Sequence, residues 1–465
     1  MRREWTIPAL LAMPFTALAE NAVLEGQFVP PAYKVLRFDE NYFSLSNSTN
    51  RTDWFDPIKY IPLRTNDPAW YLTLGGEVRE RFEGSYNPNF GIGSKGQDPN
   101  SYWLQRVTLL SDVHLGDRFR IFAEGISGVI EGENKPAPDV QDDPLDLQFA
   151  FADFLPYLTD DESLTLRGGR FGMSFGSGRL VATRAAPNIP FRFDGGEMIY
   201  DRPLWEATAF LTRPVEDNGG ISGSDPGTTF WGLYVTHWFD VKHKLGADVY
   251  YLGIDNQSAT YASGTGSEDR HSFGSRLFGS KNHWDWNGEG VIQVGTFGEE
   301  SIFAWTASLD SGYTWDSKFQ PRLGLKVDVA SGDTGNGHLG TFNALYFKSG
   351  YFNDASMIRP ANIIDVHPNL AANLTQTLSV NGGADVFWRY SKDDAIYAPP
   401  GFVEIPPSNS GSAYVATAVD INVQWQIQRH VTFGASYVHF FTGSYVHQAG
   451  GSDVNYVSTT LSFLF

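Results

Sequence analysis

Polar and apolar residues alternate along most of this chain, beginning at Trp70. Between Tyr71 and Glu83, one file of positions is polar and the other is mostly apolar, with Glu80 as the misfit. A period of two residues places the two files on opposite faces of a β-strand. The pattern therefore predicts strands with one face toward water and the other toward an apolar environment.

The same alternation recurs to the C-terminus, in about eighteen runs, an even number of the kind that bacterial outer-membrane barrels show. We therefore predict an all-β fold: a transmembrane antiparallel up-and-down β-barrel of about 18 strands with both termini periplasmic. The predicted strands are residues 70–83, 102–115, 118–130, 145–155, 164–173, 191–201, 204–213, 229–238, 245–255, 270–280, 284–297, 302–314, 321–331, 357–367, 377–390, 413–427, 431–441 and 454–465.

The connections between these strands alternate in length, as expected for short periplasmic turns and longer external loops. Short turns follow even-numbered strands, at Gly116-Asp117, Arg202-Pro203, Lys281-Asn282-His283 and Gln428-Arg429-His430. Longer loops follow most odd-numbered strands, at 84–101, 131–144, 214–228, 256–269, 332–356 and 391–412, with 297–301 as a short exception. A soluble β-sandwich has no reason to show this asymmetry.

The two ends of the chain carry export features. A basic start, an uncharged run from Trp5 to Thr16 and Ala17-Leu18-Ala19 predict a signal peptide over residues 1–19, with a short buried helix as the alternative. Residues 20–69 lack a sustained period and are interpreted as a periplasmic N-terminal segment that lies against the barrel or partly plugs it. Residues 70–465 form the predicted barrel, whose final apolar file ends on Phe465 and resembles the signal read by the barrel-assembly machinery.

Composition narrows the function classes. Aromatic residues make up 15% of the 465 residues, which suits a barrel with interfacial aromatic girdles. Outside the N-terminus no stretch approaches the ~20 apolar residues of a membrane-spanning helix. The net charge of -19 argues against a nucleic-acid partner, and the absence of cysteine excludes disulfides and thiolate metal sites.

Charged residues of the polar file are the candidate pore lining. The cations are Arg79, Arg81, Arg106, Arg118, Arg120, Arg322, Lys326 and Arg389, and the acids are Glu77, Asp112, Glu124, Asp328 and Asp385. Guanidinium groups pair with carboxylates in bidentate fashion, and interspersed acids keep an anionic polymer from being held too tightly. The alternative is that these residues form ordinary salt bridges that stiffen a water-filled barrel.

A second set of candidates surrounds a glycine-rich stretch. Arg167 and Arg170 have opposite parity, so strict alternation would leave one facing lipid at a cost of roughly 2–4 kcal/mol. A bulge at Gly168-Gly169 would turn both inward. The following loop, residues 174–190, carries Arg179 and Arg184 and is expected either to constrict the pore or to form an external loop held by glycine turns.

These and other stretches resemble the alginate-export family of outer-membrane barrels, from about Arg37 to Phe465. The matching stretches are Asp56 to Leu63, Tyr71 to Arg81, Gly169-Arg170, Phe175 to Val181, Ala186-Pro187-Asn188, Phe193-Asp194-Gly195, Ser331-Gly332-Asp333, Thr341-Phe342-Asn343, Tyr351-Phe352, Ala361 to Pro368, Phe387-Trp388-Arg389 and Phe440 to Gly443. The resemblance implies an eighteen-stranded monomeric pore with an Arg-rich lumen, and Asp194 joins the lumen acids. The family's long periplasmic plug in a late turn has no counterpart at Gln428-Arg429-His430, a departure that bears on the cargo and not on the barrel.

The sequence gives little support to a catalytic site or a metal site. Asp365-Val366-His367 has no serine partner and is interpreted as a strand end, and the histidines are scattered without a metal-binding pattern. The segment from Ser331 to Gly340, with Asp333 and Asn336, offers a Ca²⁺ loop but lacks EF-hand spacing. No cofactor is predicted.

The leading hypothesis is passive export of an anionic, alginate-like polysaccharide through an Arg-rich lumen. The alternatives are a general or small-solute porin and, third, a barrel enzyme such as a lipase or deacylase. No Ser, His and acid set can be assembled for the third, so we predict no enzymatic activity. The expected partners are the polymer, outer-membrane lipid and lipopolysaccharide, the barrel-assembly machinery and a periplasmic export scaffold.

Overall fold

The computed structural model describes residues 30–92, 99–133, 140–408 and 411–465, and the signal peptide predicted for residues 1–19 lies outside them. Within the described part, eighteen long strands follow one another from residue 70. They are β1 (Trp70–Tyr86), β2 (Asn100–Leu115), β3 (Phe119–Glu131), β4 (Asp143–Leu158), β5 (Ser163–Phe171), β6 (Phe193–Arg202), β7 (Trp205–Pro214), β8 (Thr228–Asp240), β9 (Leu245–Tyr261), β10 (Gly264–Lys281), β11 (Trp284–Phe297), β12 (Glu300–Thr314), β13 (Arg322–Ala330), β14 (Ile363–Asn373), β15 (Leu378–Arg389), β16 (Tyr414–Gln428), β17 (Val431–Thr442) and β18 (Val454–Leu464).

The remaining elements are short. Two α-helices, α1 (Asp56–Lys59) and α2 (Ser444–Gln448), and the two-residue strands Ile61–Pro62 and His338–Leu339 flank or connect the long strands. The strands Ile396–Ala398 and Phe402–Ile405 form a separate hairpin. The 3₁₀ turns are Arg37–Asp39, Phe43–Ser46, Ser48–Asn50 and Pro88–Gly91. Among the described residues, every helix is too short or too polar to cross a membrane.

The long strands close into a barrel. Each pairs antiparallel with the next, and β18 returns to β1 with Leu464 opposite Glu77 and Asn455 opposite Tyr86. Closure leaves no unpaired sheet edge, which is the condition for a sheet to span a bilayer. The predicted eighteen-stranded antiparallel barrel is confirmed.

Alternation along each strand separates an apolar outer face from a polar inner one. Leu109, Val249 and Ile292 are exposed on the outside, whereas charged groups such as Arg79 are buried inside. Glu80, the misfit of the pattern, accepts hydrogen bonds from Trp103 Nε1 at 2.5 Å and Gln105 Nε2 at 2.6 Å. Two donors on the neighbouring strand therefore satisfy this carboxylate.

Two predicted elements differ from the structure by more than a few residues. The loop predicted for 256–269 is the turn 262–263, because β9 and β10 continue toward each other past a register shift between Asn256 and Ala259. The strand predicted for 357–367 runs from Ile363 to Asn373. Its pairing with β15 skips from Val366 to Asn369, so the strand accommodates Pro368 at a gap in the ladder and does not end there.

Connections divide the barrel into two ends, which we call the turn end and the loop end. The longest connection at the turn end is 315–321, whereas the loop end carries 172–192 and 331–362. Both described chain ends lie at the turn end, where Arg37 donates to the carbonyls of Gly76 at 3.0 Å and Phe465 at 3.1 Å. The pattern of short turns and long loops therefore holds, apart from 262–263 and 298–299.

Residues 30–69 enter the lumen from the turn end. Phe38 packs edge-on against Phe122, Phe149 and Phe151, with ring centroids 5.1–5.7 Å apart. His430, in the turn between β16 and β17, lies 2.8 Å from Asp53 Oδ2. The N-terminal segment thus packs on the late turn that carries no insertion.

Candidate functional site

The segment 172–192 crosses the inside of the barrel. At one side Phe175 stacks on Phe210 of β7 and Tyr234 of β8, with centroids 5.7 and 4.9 Å apart. At the other side the carbonyl of Ala185 accepts hydrogen bonds from Arg79 of β1 at 2.8 Å and Arg106 of β2 at 3.1 Å. Ser177 also donates to Glu289 of β11, which lies nine strands from β2 around the eighteen-stranded wall, so the segment spans the lumen.

The segment 331–362 also folds inward and pairs with the first one. Ala182 N–H donates to the Tyr346 carbonyl at 2.8 Å, and Tyr346 N–H donates to the Leu180 carbonyl at 2.8 Å. Farther along, Asp354 reaches β1 and accepts from Arg81 at 3.1 Å. We call segments 172–192 and 331–362 together the constriction.

Arg79, Arg81 and Arg106 are the wall residues that hold the constriction on the β1 and β2 side. Arg79 also donates to Asn188 Oδ1 at 3.0 Å, and Arg106 lies 3.0 Å from Glu77. Glu77, which was predicted to line the lumen, therefore pairs with a cation on the neighbouring strand. Arg79 and Arg106 are committed mainly to backbone carbonyls and Arg81 to Glu83 and Asp354, a use that the residue pattern does not reveal.

A cluster of opposite charges anchors the other side of the constriction. Asp328 of β13 accepts from Arg179 at 2.5 Å and from the Tyr351 hydroxyl at 2.7 Å, and Lys326 Nζ lies 3.2 Å from it. Asp328 and Arg179 are 1% and 3% exposed. Glu289, 3.5 Å from Arg179, is the second acid, so two acids balance two cations in this cluster, as buried ions require.

A further cluster lies where the N-terminal segment enters. Arg120 forms a bidentate pair with Asp112, at 2.7 and 2.8 Å, and donates to the Phe38 carbonyl at 2.6 Å. Arg167 pairs with Asp153 at 2.8 Å and lies 4.8 Å from the Phe38 ring. Glu124 is buried nearby, and its Oε2 has no hydrogen-bond partner among the described residues.

Arg322 is in a more open setting. Its guanidinium donates to Asp285 at 2.9 and 2.6 Å and to Asp310 at 3.0 Å. The side chains of these two acids are 36% and 39% exposed, whereas that of Arg322 is 10% exposed, so the acids are the accessible part of the group. Because two acids share the guanidinium, an incoming anion can displace one of them while the other stays bound.

The bulge predicted at Gly168-Gly169 is wrong. Pairing of β5 with both neighbours runs without a register shift there, and its one shift against β4 lies between Phe154 and Tyr157, opposite Leu166 and Leu164. Gly169 instead takes a φ of 136°. Arg170 pairs with Asp194 at 2.7 and 2.9 Å and donates to the Ser222 carbonyl at 2.8 Å in the 215–227 loop.

Gly169→Ala is expected to lower the free energy of unfolding by about 1–3 kcal/mol, because L side chains avoid that backbone region. A Cβ there would lie 2.3 Å from the Ala150 carbonyl oxygen. Urea denaturation monitored by tryptophan fluorescence measures the loss. Gly168→Ala is the matched control, since its Cβ would meet nothing within 4 Å. Equal midpoints for the two variants would contradict the prediction.

Of four further predicted lumen residues, one lies outside the lumen and three contact residues of the loop-end connections. Arg118 does not face the lumen: it is exposed in the turn before β3 and donates to the Leu155 and Pro156 carbonyls, because β3 begins one residue later than predicted. Arg389 donates to the Ser412 carbonyl at 2.7 Å and lies over Tyr445 at the loop end. Arg184 lies 3.9 Å from the centre of the Phe191 ring, and Asp385 accepts from Asn353 at 3.0 Å.

Sequence reasoning missed several arginines. Arg192 bonds Asp146, Arg270 bonds Glu268 at 2.5 Å, and Arg276 bonds Asp248 at 2.6 Å. Arg270 and Arg276 are in the polar file of the predicted run 270–280, so the alternation rule was sufficient to find them. Arg192 was included in the predicted strand 191–201, but β6 begins at Phe193 and Arg192 lies in the constriction.

The sequence pattern predicted that Asp365 and His367 end a strand, and this prediction is wrong. They lie within β14, beside Asp385 of β15. In the predicted Ca²⁺ loop, Asp333 accepts from the N–H of Gly335 at 2.9 Å, and Asn336 donates to Thr334 at 2.7 Å. Calcium binding there stays a prediction.

Burial shifts the pKa values of two ionisable groups that lie outside the strands. Lys59 is 2% exposed, and burial together with the nearby charge of Arg37 lowers its pKa to about 7. Asp217 lies in the 215–227 loop, where burial raises its pKa to about 6 against the opposing charge of Arg192. Lys59 is therefore near the middle of its titration at neutral pH, and Asp217 titrates about one pH unit lower.

Comparison with known proteins agrees with this architecture. The model of a family described as alginate export matches residues 70–460. No curated protein sequence matches the chain. Solved structures with the same fold include Pseudomonas aeruginosa OccK8 (OprE), 12% identical, TM-score 0.57, covering 85% of this chain and 98% of that one.

Two further structures from Pseudomonas aeruginosa are similar to it. OccD3 (OpdP) is 12% identical with a TM-score of 0.58, over 88% of this chain and 93% of its own. OpdK, solved with vanillate, is 11% identical with a TM-score of 0.57, over 84% and 98%. At such identities the likeness shows the fold alone. With the family match and the closed barrel, it identifies an integral outer-membrane channel; the family and these neighbours are channels, not enzymes.

Proposed function

Because this chain belongs to the alginate export family, we propose that it lets an anionic polysaccharide leave the periplasm passively through its lumen. The turn end, with the N-terminal segment, then faces the periplasm, and the loop end faces outward. The polymer is of the polyuronate class, with one carboxylate on each sugar.

The observation that carries this proposal is the Arg322 fork, in which a buried guanidinium is held between two partly exposed acids. Arg322 is shared between Asp285 and Asp310 on the open part of the wall. A uronate carboxylate can replace one of the two acids in bidentate fashion, and the displaced acid then repels it onward. Alternating cations and acids thus favour passage over tight retention.

A small-carboxylate porin is the second candidate, and the constriction favours it. Segments 172–192 and 331–362 pair across the lumen, which suits a solute much smaller than a polymer. The two candidates share an anionic solute and differ in its length.

Planar-bilayer recording tests the proposal. Oligouronate added on the turn-end side is expected to interrupt the ionic current, with dwell times that grow with chain length, because successive carboxylates occupy successive cations. Neutral oligosaccharide of equal length is the control. Blocking by uronate monomers alone would replace export with the porin function, and blocking by neutral sugars alone would contradict both.

Arg322→Glu is expected to lower the anion-to-cation permeability ratio by roughly threefold or more, because three acids then meet in the open lumen. Reversal potentials in a salt gradient measure the ratio. Arg118→Glu is the matched control: it makes the same charge change in an exposed turn outside the lumen. Equal ratios for both variants would show that Arg322 does not set selectivity.

A further inference from the structure

A group of acids and one histidine lies on the inner side of β14, β15 and β16. Asp365 and His367 are two residues apart on β14 and so share a face. Asp385 of β15 lies beside them, and one ligand atom from each of the three residues lies within 4.8 Å of the others. Asp420 of β16 borders the group, with Oδ1 3.9 Å from His367 Nε2.

Asp365 is the unusual member. It is 0% exposed, and neither of its carboxylate oxygens has a hydrogen-bond partner among the described residues. Buried polar groups are almost always paired, and a buried carboxylate without a donor needs a proton or a cation. Lys326 is the nearby cation, but its Nζ already contacts Asp328 at 3.2 Å and the Tyr351 carbonyl at 2.9 Å.

The histidine is also available for coordination. His367 Nδ1 lies 2.9 Å from Asp385 Oδ1, yet neither atom makes a hydrogen bond of acceptable angle in the described structure. Ligands bound about 2.1 Å from one metal ion lie roughly 3.0–3.5 Å apart, close to this separation. Asn353 donates to the other oxygen of Asp385 at 3.0 Å, an outer contact of the kind that orients metal ligands.

We propose that Asp365, His367 and Asp385 bind one divalent transition-metal ion, with Asp420 as a neighbouring acid. One imidazole with carboxylates suits Zn²⁺ and similar borderline ions better than Ca²⁺ or Mg²⁺, which take oxygen ligands. The His367 side chain is 12% exposed, so the ion enters from the lumen. Through Asp385 and Asn353, the ion connects the barrel wall to the constriction.

Zinc titration of the full chain tests this site. The barrel in detergent is stripped with EDTA and titrated with ZnCl₂ by calorimetry. We expect one Zn²⁺ ion to bind tightly to each chain. Its dissociation constant is expected to rise at least about tenfold in Asp365→Asn and in His367→Gln. His243→Gln is the matched control: His243 Nδ1 lies 2.6 Å from Asp240 in an exposed pair, and its loss is expected to leave that dissociation constant unchanged.

A spectroscopic measurement on the unaltered chain keeps the test independent of variant folding. With one equivalent of Cu²⁺ as the probe, electron paramagnetic resonance is expected to show nitrogen coupling from a single imidazole, which His367→Gln abolishes. Heat-dependent mobility on gels reports whether each variant is folded. Absence of a tightly bound Zn²⁺ ion, or nitrogen coupling that survives in folded His367→Gln, would overturn the proposal and leave Asp365 holding a proton.

Discussion

Single-channel conductance is expected to rise by about two- to fivefold when Arg79 and Arg106 are both replaced by alanine. These two side chains provide four of the hydrogen bonds to the Ala185 and Pro187 carbonyls, and Arg79 holds Asn188 as well. Without them, the 185–188 end of the constriction loses its attachment to β1 and β2. The segment stays held by Phe175 and Arg179 on one side and by Asn188, which donates to the Val129 and Gln141 carbonyls, on the other. We therefore expect the stretch around Ala185 to move aside while the barrel remains closed.

The control for this prediction removes the same charge without touching segment 172–192. Arg322→Ala combined with Arg118→Ala also deletes two arginines, one from the open lumen and one from a turn. We expect that pair to change selectivity but to leave conductance within the scatter of the unaltered channel. If both double variants conduct equally, segment 172–192 does not limit the current.

The barrel could be predicted from the sequence because alternation is a local property. Each strand must show lipid an apolar file, so patterns such as that of Tyr71 to Glu83 mark the wall without knowledge of the neighbours. Short turns are local too. Pro368 shows the limit of such reasoning, because a residue that usually ends a strand is tolerated where the ladder has a gap.

The constriction could not be predicted in the same way. Arg79 and Arg106 fit the polar file, but nothing near them in sequence shows that they bind carbonyls more than 70 residues away. The pairing of Leu180 with Tyr346 joins two segments that have no period of their own. Only the closed barrel brings these segments together, so the positions of the lumen charges could be predicted and their partners could not.

Asp328→Ala is expected to have the largest effect on stability, lowering the free energy of unfolding by about 3–5 kcal/mol, because it leaves Lys326 without its acid and the buried Arg179 with only Glu289, 3.5 Å away. Asp328 is the acid that Arg179 and Lys326 share, and it also accepts from Tyr351. Urea unfolding followed by tryptophan fluorescence measures the change. Asp285→Ala is the control: its carboxylate is 36% exposed and Arg322 keeps Asp310, so a loss below about 1 kcal/mol is expected. Equal losses in the two variants would mean that water, and not Asp328, neutralises the charges of the constriction.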